Sequence, residues 1–182
     1  MKKLIVIAAV MLMVVGMVSV VRAGQTDTMS LTVTVGVTLD VTIFADDYDF
    51  GNVQLNATTI STTSTAVKNS SSNAIETYTL KVSPGTSGWT IADATGTVDE
   101  VRIQAMWNTT QPASVPDDTL HNLNAAGKVC DGSNFGGGDE TYKGDSVPTG
   151  EEEYLWFKLW TPSESATEGV RKLYLTITAN LG

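Results

Sequence analysis

The chain carries 20 aspartate and glutamate residues against 11 lysine and arginine in a length of 182, a formal net charge of −9. Such a field repels nucleic acid and anionic lipid, so neither is an expected partner. Cys130 is the one cysteine and His121 the one histidine, which excludes an intrachain disulfide and leaves zinc without its usual soft ligands.

Residues 1–23 read as a signal peptide. Lys2 and Lys3 form a positive start, residues 4–21 are apolar without a charge, and Val21-Arg22-Ala23 ends in a small residue, which places cleavage after Ala23. The apolar run is about long enough to cross a bilayer, so an uncleaved anchor is the competing reading. No cysteine follows the run to accept a lipid. The expected destination is secreted or at the surface of a bacterial-type cell, and residues 24–182 suit a single domain with its own core.

From 31 to 43 every odd position is apolar (Leu31, Val33, Val35, Val37, Leu39, Val41, Ile43), and the even positions are Thr, Gly or Asp. A period of two predicts a strand with one buried face. Thirteen residues at about 3.3 Å each give roughly 43 Å, beyond the usual ~17–20 Å. Either the strand bends at Gly36, or its first half projects and pairs with another molecule. In the second case Leu31, Val33, Val35, Val37 and Leu39 are the assembly contacts and the partner is another copy of the chain, giving a homopolymer.

Further strands are predicted over 48–53, 58–68, 75–83, 89–92, 101–107, 154–160 and 173–179, separated by turn signals such as Ser83-Pro84-Gly85 and Thr161-Pro162-Ser163. The strongest helical candidate is one turn over 117–123. Short strands at regular intervals predict an all-β fold, an Ig-like antiparallel β-sandwich of about eight strands.

Residues 108–150 break the rhythm, being rich in Gly, Asp, Asn and Pro. They are expected to form a long irregular excursion, ordered by Leu120, Leu123, Val129 and Phe135, because a connection of this length has a job or is mobile. Asp131, Asn134, Asp139, Glu140 and Asp145 offer hard oxygen ligands there, which makes calcium the one metal to weigh; Asp46, Asp47 and Asp49 are a second acidic group. Neither run has EF-hand spacing, and a solvated acidic loop is the ordinary reading. Gly136-Gly137-Gly138 reads as a flexible turn, since it neither follows a strand nor opens a helix. No nucleophile or orienting carboxylate can be placed beside His121 from spacing, so no catalytic residue is assigned and no enzyme is expected. Cys130 reads as a small loop residue or as a bridge between subunits.

Glu151, Glu152 and Glu153 read as a gatekeeper run before an apolar strand. In that strand Leu155, Phe157 and Leu159 share one face, and Tyr154, Trp156, Lys158 and Trp160 the other. One face packs into the core. The other is expected to be covered by the 108–150 excursion or by a partner; the alternative is a glycan- or cell-wall-binding platform in which Tyr154, Trp156 and Trp160 stack on sugar rings.

The run Tyr48-Asp49-Phe50-Gly51-Asn52-Val53, the turn and strand over 69–82, and Gly88-Trp89-Thr90-Ile91 resemble the layout of bacterial surface β-sandwiches such as WxL-type cell-wall domains. That resemblance implies peptidoglycan contact, although Ile91 stands where that family's tripeptide has Leu. The alternating segment 29–39 is similar to the N-terminal segment of fibre-forming pilus subunits, which implies completion of a neighbour's sheet. The function expected from the sequence is a secreted structural subunit of an extracellular filament or surface layer, with a non-catalytic glycan-binding module as the alternative.

Overall fold

The computed structural model describes residues 29–182 except 31, 35, 46, 86–87, 95–96, 138–142 and 167–168. It divides into two units, Met1–Val35 and Gly36–Gly182. In the first, the described residues 29–30 and 32–34 are exposed and lie in no strand.

The second unit is all-β, and no helix occurs among its described residues. Its strands are β1 (Val41–Ile43), β2 (Thr58–Ile60), β3 (Thr65–Asn69), β4 (Glu76–Pro84), β5 (Thr90–Ile91), β6 (Glu100–Trp107), β7 (Lys128–Val129), β8 (Glu152–Trp160) and β9 (Leu173–Leu181). The larger sheet runs β1-β3-β8-β6-β5 with β2 also on β8, and the smaller runs β7-β4-β9. All pairs are antiparallel except β5 with β6. The larger sheet is curled into a half-barrel.

The four long strands follow from their side chains. In β4 the alternation puts Glu76, Tyr78, Leu80 and Val82 on one buried face, as a period of two requires. They meet Val101, Ile103, Ala105 and Trp107 of β6 and Leu155, Phe157 and Leu159 of β8 in one core. Burying a large apolar side chain of this kind contributes about 2–3 kcal/mol each.

Where the local pattern misleads, a competing contact is visible. The strand expected over 31–43 shrinks to β1. Just before it, Asp40 N–H donates to Glu76 Oε1 (2.7 Å) and Ser70 N–H donates to Asp40 O (2.7 Å), so the chain is held by a side chain and a turn rather than by a ladder. Residues 48–53 form no strand, because Gly51 takes φ 68° and its N–H turns back to Asp49 Oδ1 (2.7 Å); Phe50 and Val53 still pack against the core. The run 58–68 lies along β8 but bulges in the middle, where residues 61–64 stand opposite only 156 and 157. Ser61 bridges the bulge: its N–H donates to Phe157 O (2.8 Å) and its Oγ accepts from Phe157 N–H (3.0 Å). The turn at 117–123 is not helical, since Asp118 Oδ1 captures the N–H groups of Leu120 and His121.

The excursion over 108–150 is built into the fold. Its first part covers the outer face of β8, where Trp156 Nε1 donates to Asn108 O (2.8 Å) and Lys158 Nζ to Val115 O (2.9 Å). It then lines the edge of β6, accepting from Ala105 N–H at His121 O (2.9 Å) and from Trp107 N–H at Phe135 O (2.9 Å). Finally it lines the edge of β4, where Cys130 N–H donates to Tyr78 O (2.9 Å), Tyr78 N–H to Gly144 O (2.7 Å), and Glu76 and Val147 exchange both backbone bonds. Leu123, Cys130, Phe135 and Val147 enter the core. Leu120 and Val129 were expected to help but are exposed.

Candidate functional site

Three groups of residues stand out among the described residues. The first is the N-terminal segment. Val33, Val37 and Leu39 are 82%, 42% and 37% exposed, and none lies in a strand; Leu31 and Val35 fall outside the described residues. Among the described residues 29–39, the recorded backbone bond is the one Gly36 O accepts from Asn73 Nδ2 (3.4 Å). Of the described apolar positions, Val33 is open to solvent, while Val37 and Leu39 are partly covered and lie outside any strand.

The second group is the polar network on the outer face of β6. Arg102, Gln104, His121 and Asn122 are all buried. Arg102 donates through Nε to Asn122 Oδ1 (2.8 Å) and through Nη2 to Asp118 O (3.0 Å), and pairs with Asp117 through Nη1. Its guanidinium lies 4.7 Å from the Trp160 ring centre, with Lys158 Nζ at 3.9 Å. His121 Nδ1 sits 2.7 Å from Asp118 Oδ1 and Nε2 sits 3.0 Å from Gly136 O. Both ring nitrogens face oxygen, so the imidazole is committed as a staple between two parts of the excursion. Burial acts to raise the Asp118 carboxyl, but its hydrogen bonds with His121 and the Leu120 N–H together outweigh it and hold the carboxyl below its ordinary range.

The third group was not anticipated. Glu76, Tyr78, Cys130 and Glu153 are each buried to within 2% of complete. Burial pushes Glu153 up to about 7, against the N–H groups of Gly144 (2.5 Å) and Lys143, which favour its ionised form. Burial also raises Glu76, partly offset by the Asp40 N–H. The Tyr78 hydroxyl has no hydrogen-bond partner among the described residues, and burial followed by the charges of Glu76 and Glu153 raises it. Burial raises the Cys130 thiol to about 12, although Trp107 Nε1 donates to its sulfur (3.3 Å). An enclosed, protonated thiol reaches no neighbouring molecule, so the intersubunit bridge weighed for Cys130 is not available to the folded chain. The signal for the two acids was in the alternation: Glu76 shares a face with Tyr78, Leu80 and Val82, and Glu153 shares one with Leu155 and Phe157. Glu153 is therefore an inward residue and not a gatekeeper; Glu151 is exposed and Glu152 half-buried.

The other expected sites are placed as follows. Trp156 and Trp160 are 6% and 8% exposed and Tyr154 is half-buried, so neither tryptophan presents an open stacking face. Asp131 Oδ1 accepts from the N–H groups of Ser133 (3.1 Å) and Asn134 (2.8 Å), and Asn134 Nδ2 donates to Asp131 Oδ2 (2.9 Å). Asp131 and Asn134 thus meet in a turn that uses their own polar atoms. Asp145 Oδ1 accepts from the Thr77 hydroxyl (2.9 Å), and Asp139 lies outside the described residues. Among the described residues, no three His, Cys, Asp or Glu side chains cluster as a metal would require. Gly136 and Gly137 are a close-packed point and not a loose turn: a Cβ on Gly137 would stand 1.9 Å from Trp107 O, and one on Gly136 would stand 2.8 Å from Gly132 O. Compared with known proteins, the chain matches no family model, and a search of curated proteins returned no match.

Proposed function

We propose that this chain is a secreted structural subunit, folded as an Ig-like β-sandwich, that builds an extracellular filament or surface layer by sheet-edge or N-terminal strand exchange. The observation that carries the reading is the segment 29–39. It alternates apolar and polar residues, carries no charge, and leaves Val33, Val37 and Leu39 exposed outside any strand. An apolar row at strand spacing gains stability only when a partner backbone and a partner face are supplied, and a second copy supplies both. The other groups support contact over turnover: the one imidazole is tied at both nitrogens and the one thiol is buried and protonated. A glycan-binding module would need Trp156 and Trp160 open to solvent, and both are covered.

Electron microscopy of the purified protein tests the proposal directly, with fibres or sheets as the expected result. Removal of residues 24–35 should leave a folded monomer that no longer assembles. A truncated chain that unfolds would show that the segment belongs to its own domain and would sink the proposal.

A further inference from the structure

β9 is nine residues long, and among the described residues it pairs only with β4, so within the described part of the chain its other edge carries no ladder. The side chains tell the same story. On the inward face of β4, Tyr78 and Leu80 are fully buried and Val82 is 1% exposed. On the same face of β9, Ile177 is buried, whereas Leu173, Leu175 and Ala179 are only half-buried against the core and Leu181 is 64% exposed. Apolar cover therefore thins from Ile177 toward both ends of β9.

Edges left open in monomeric proteins are ordinarily protected by a charge, a proline or a bulge. β9 reads Leu-Tyr-Leu-Thr-Ile-Thr-Ala-Asn-Leu, with none of these. In a chain of net charge −9, an uncharged edge of this length is where a second copy can approach without like charges meeting. The uncharged segment 29–39 has eleven residues, enough to run the whole length of β9.

We infer that the free edge of β9 is the acceptor for residues 29–39 of a second copy. The donated strand hydrogen-bonds along β9 and turns Val33, Val37 and Leu39 inward, beside Leu175, Ala179 and Leu181, where they extend the core. Thr32, Thr34 and Thr38 then face outward with Thr176 and Thr178, as the period of two dictates. This assignment rests on the assembly reading above and adds to it the surface that receives the strand.

Cysteine pairing tests it in the full-length chain, because Cys130 is fully buried and stays out of exchange. Chains with Val33→Cys are co-expressed with chains carrying Leu175→Cys, Ala179→Cys or Leu181→Cys, one at a time, and oxidised mildly. The expected result is a disulfide-linked heterodimer at one or more of the three positions. It should be lost when Thr34→Cys replaces Val33→Cys, or when Thr178→Cys replaces the β9 variant, since both side chains face the other way. Chains that assemble by light scattering but give no heterodimer at any inward β9 position overturn the acceptor assignment and leave the assembly reading standing. Disulfides between two β9 cysteines alone would show edge-to-edge pairing of β9 and overturn it equally. Absence of any assembly overturns both.

Discussion

At the scale of single residues, Glu153 gives the molecule its clearest pH signature. The unfolded carboxyl ionises near 4.5 and the folded one at about 7, so between those values the folded chain binds the additional proton. Stability from this group is full below about 4.5 and is lost as pH rises through about 7, by about 3 kcal/mol in all. Glu76 acts in the same direction. Glu153→Gln keeps a neutral oxygen for the Gly144 N–H. Urea unfolding midpoints of this variant should exceed those of the parent at pH 8 and match them near pH 4.5. An unchanged pH profile would show that Glu153 is not the titrating group. The acid was missed from sequence because a glutamate within Glu151-Glu152-Glu153 looks like a solvated run. Only the register of Leu155 and Phe157 marks Glu153 as inward.

At the scale of elements, the excursion over 108–150 acts as the seam between the β6 edge of one sheet and the β4 edge of the other. Its glycines let it lie close. Gly144 has φ 67°, and a Cβ there would stand 2.5 Å from Trp107 Nε1 and 2.8 Å from Cys130 Sγ. Gly144→Ala should therefore destabilise the protein by about 3 kcal/mol or more, through overpacking and an unfavourable backbone. The same variant should let Cys130 react with a thiol reagent at lower urea than in the parent, measured by mass. A thiol equally protected in both would show that the seam tolerates the methyl group. Composition alone reads 108–150 as an irregular loop, because Leu123, Phe135 and Val147 are too far apart in sequence to form a periodic pattern. Their common face exists only once β4 and β6 have placed their edges.

At the scale of the whole molecule, a chain of net charge −9 repels its own copies at low ionic strength, while the strand and edge proposed to join are uncharged. Screening then favours assembly, since the Debye length falls from about 30 Å at 0.01 M to about 8 Å at 0.15 M salt. Light scattering at fixed protein concentration should rise with sodium chloride over that range. A fall would point to ion pairs at the contact and against an uncharged strand exchange.

The all-β class and the four long strands β4, β6, β8 and β9 were legible in the sequence: β4 and β9 alternate with a period of two, and β6 and β8 are short apolar-rich runs bounded by turn signals. Partnership was not legible. Alternation over 31–43 marks one apolar face but names no neighbour, and among its described residues only Val41–Ile43 pairs with a strand, β3. The enclosure of Cys130 and the joining of His121 to Gly136 were likewise set by tertiary structure. Each depends on contacts between residues distant in the chain, and local pattern carries no information about which distant edge a segment will meet.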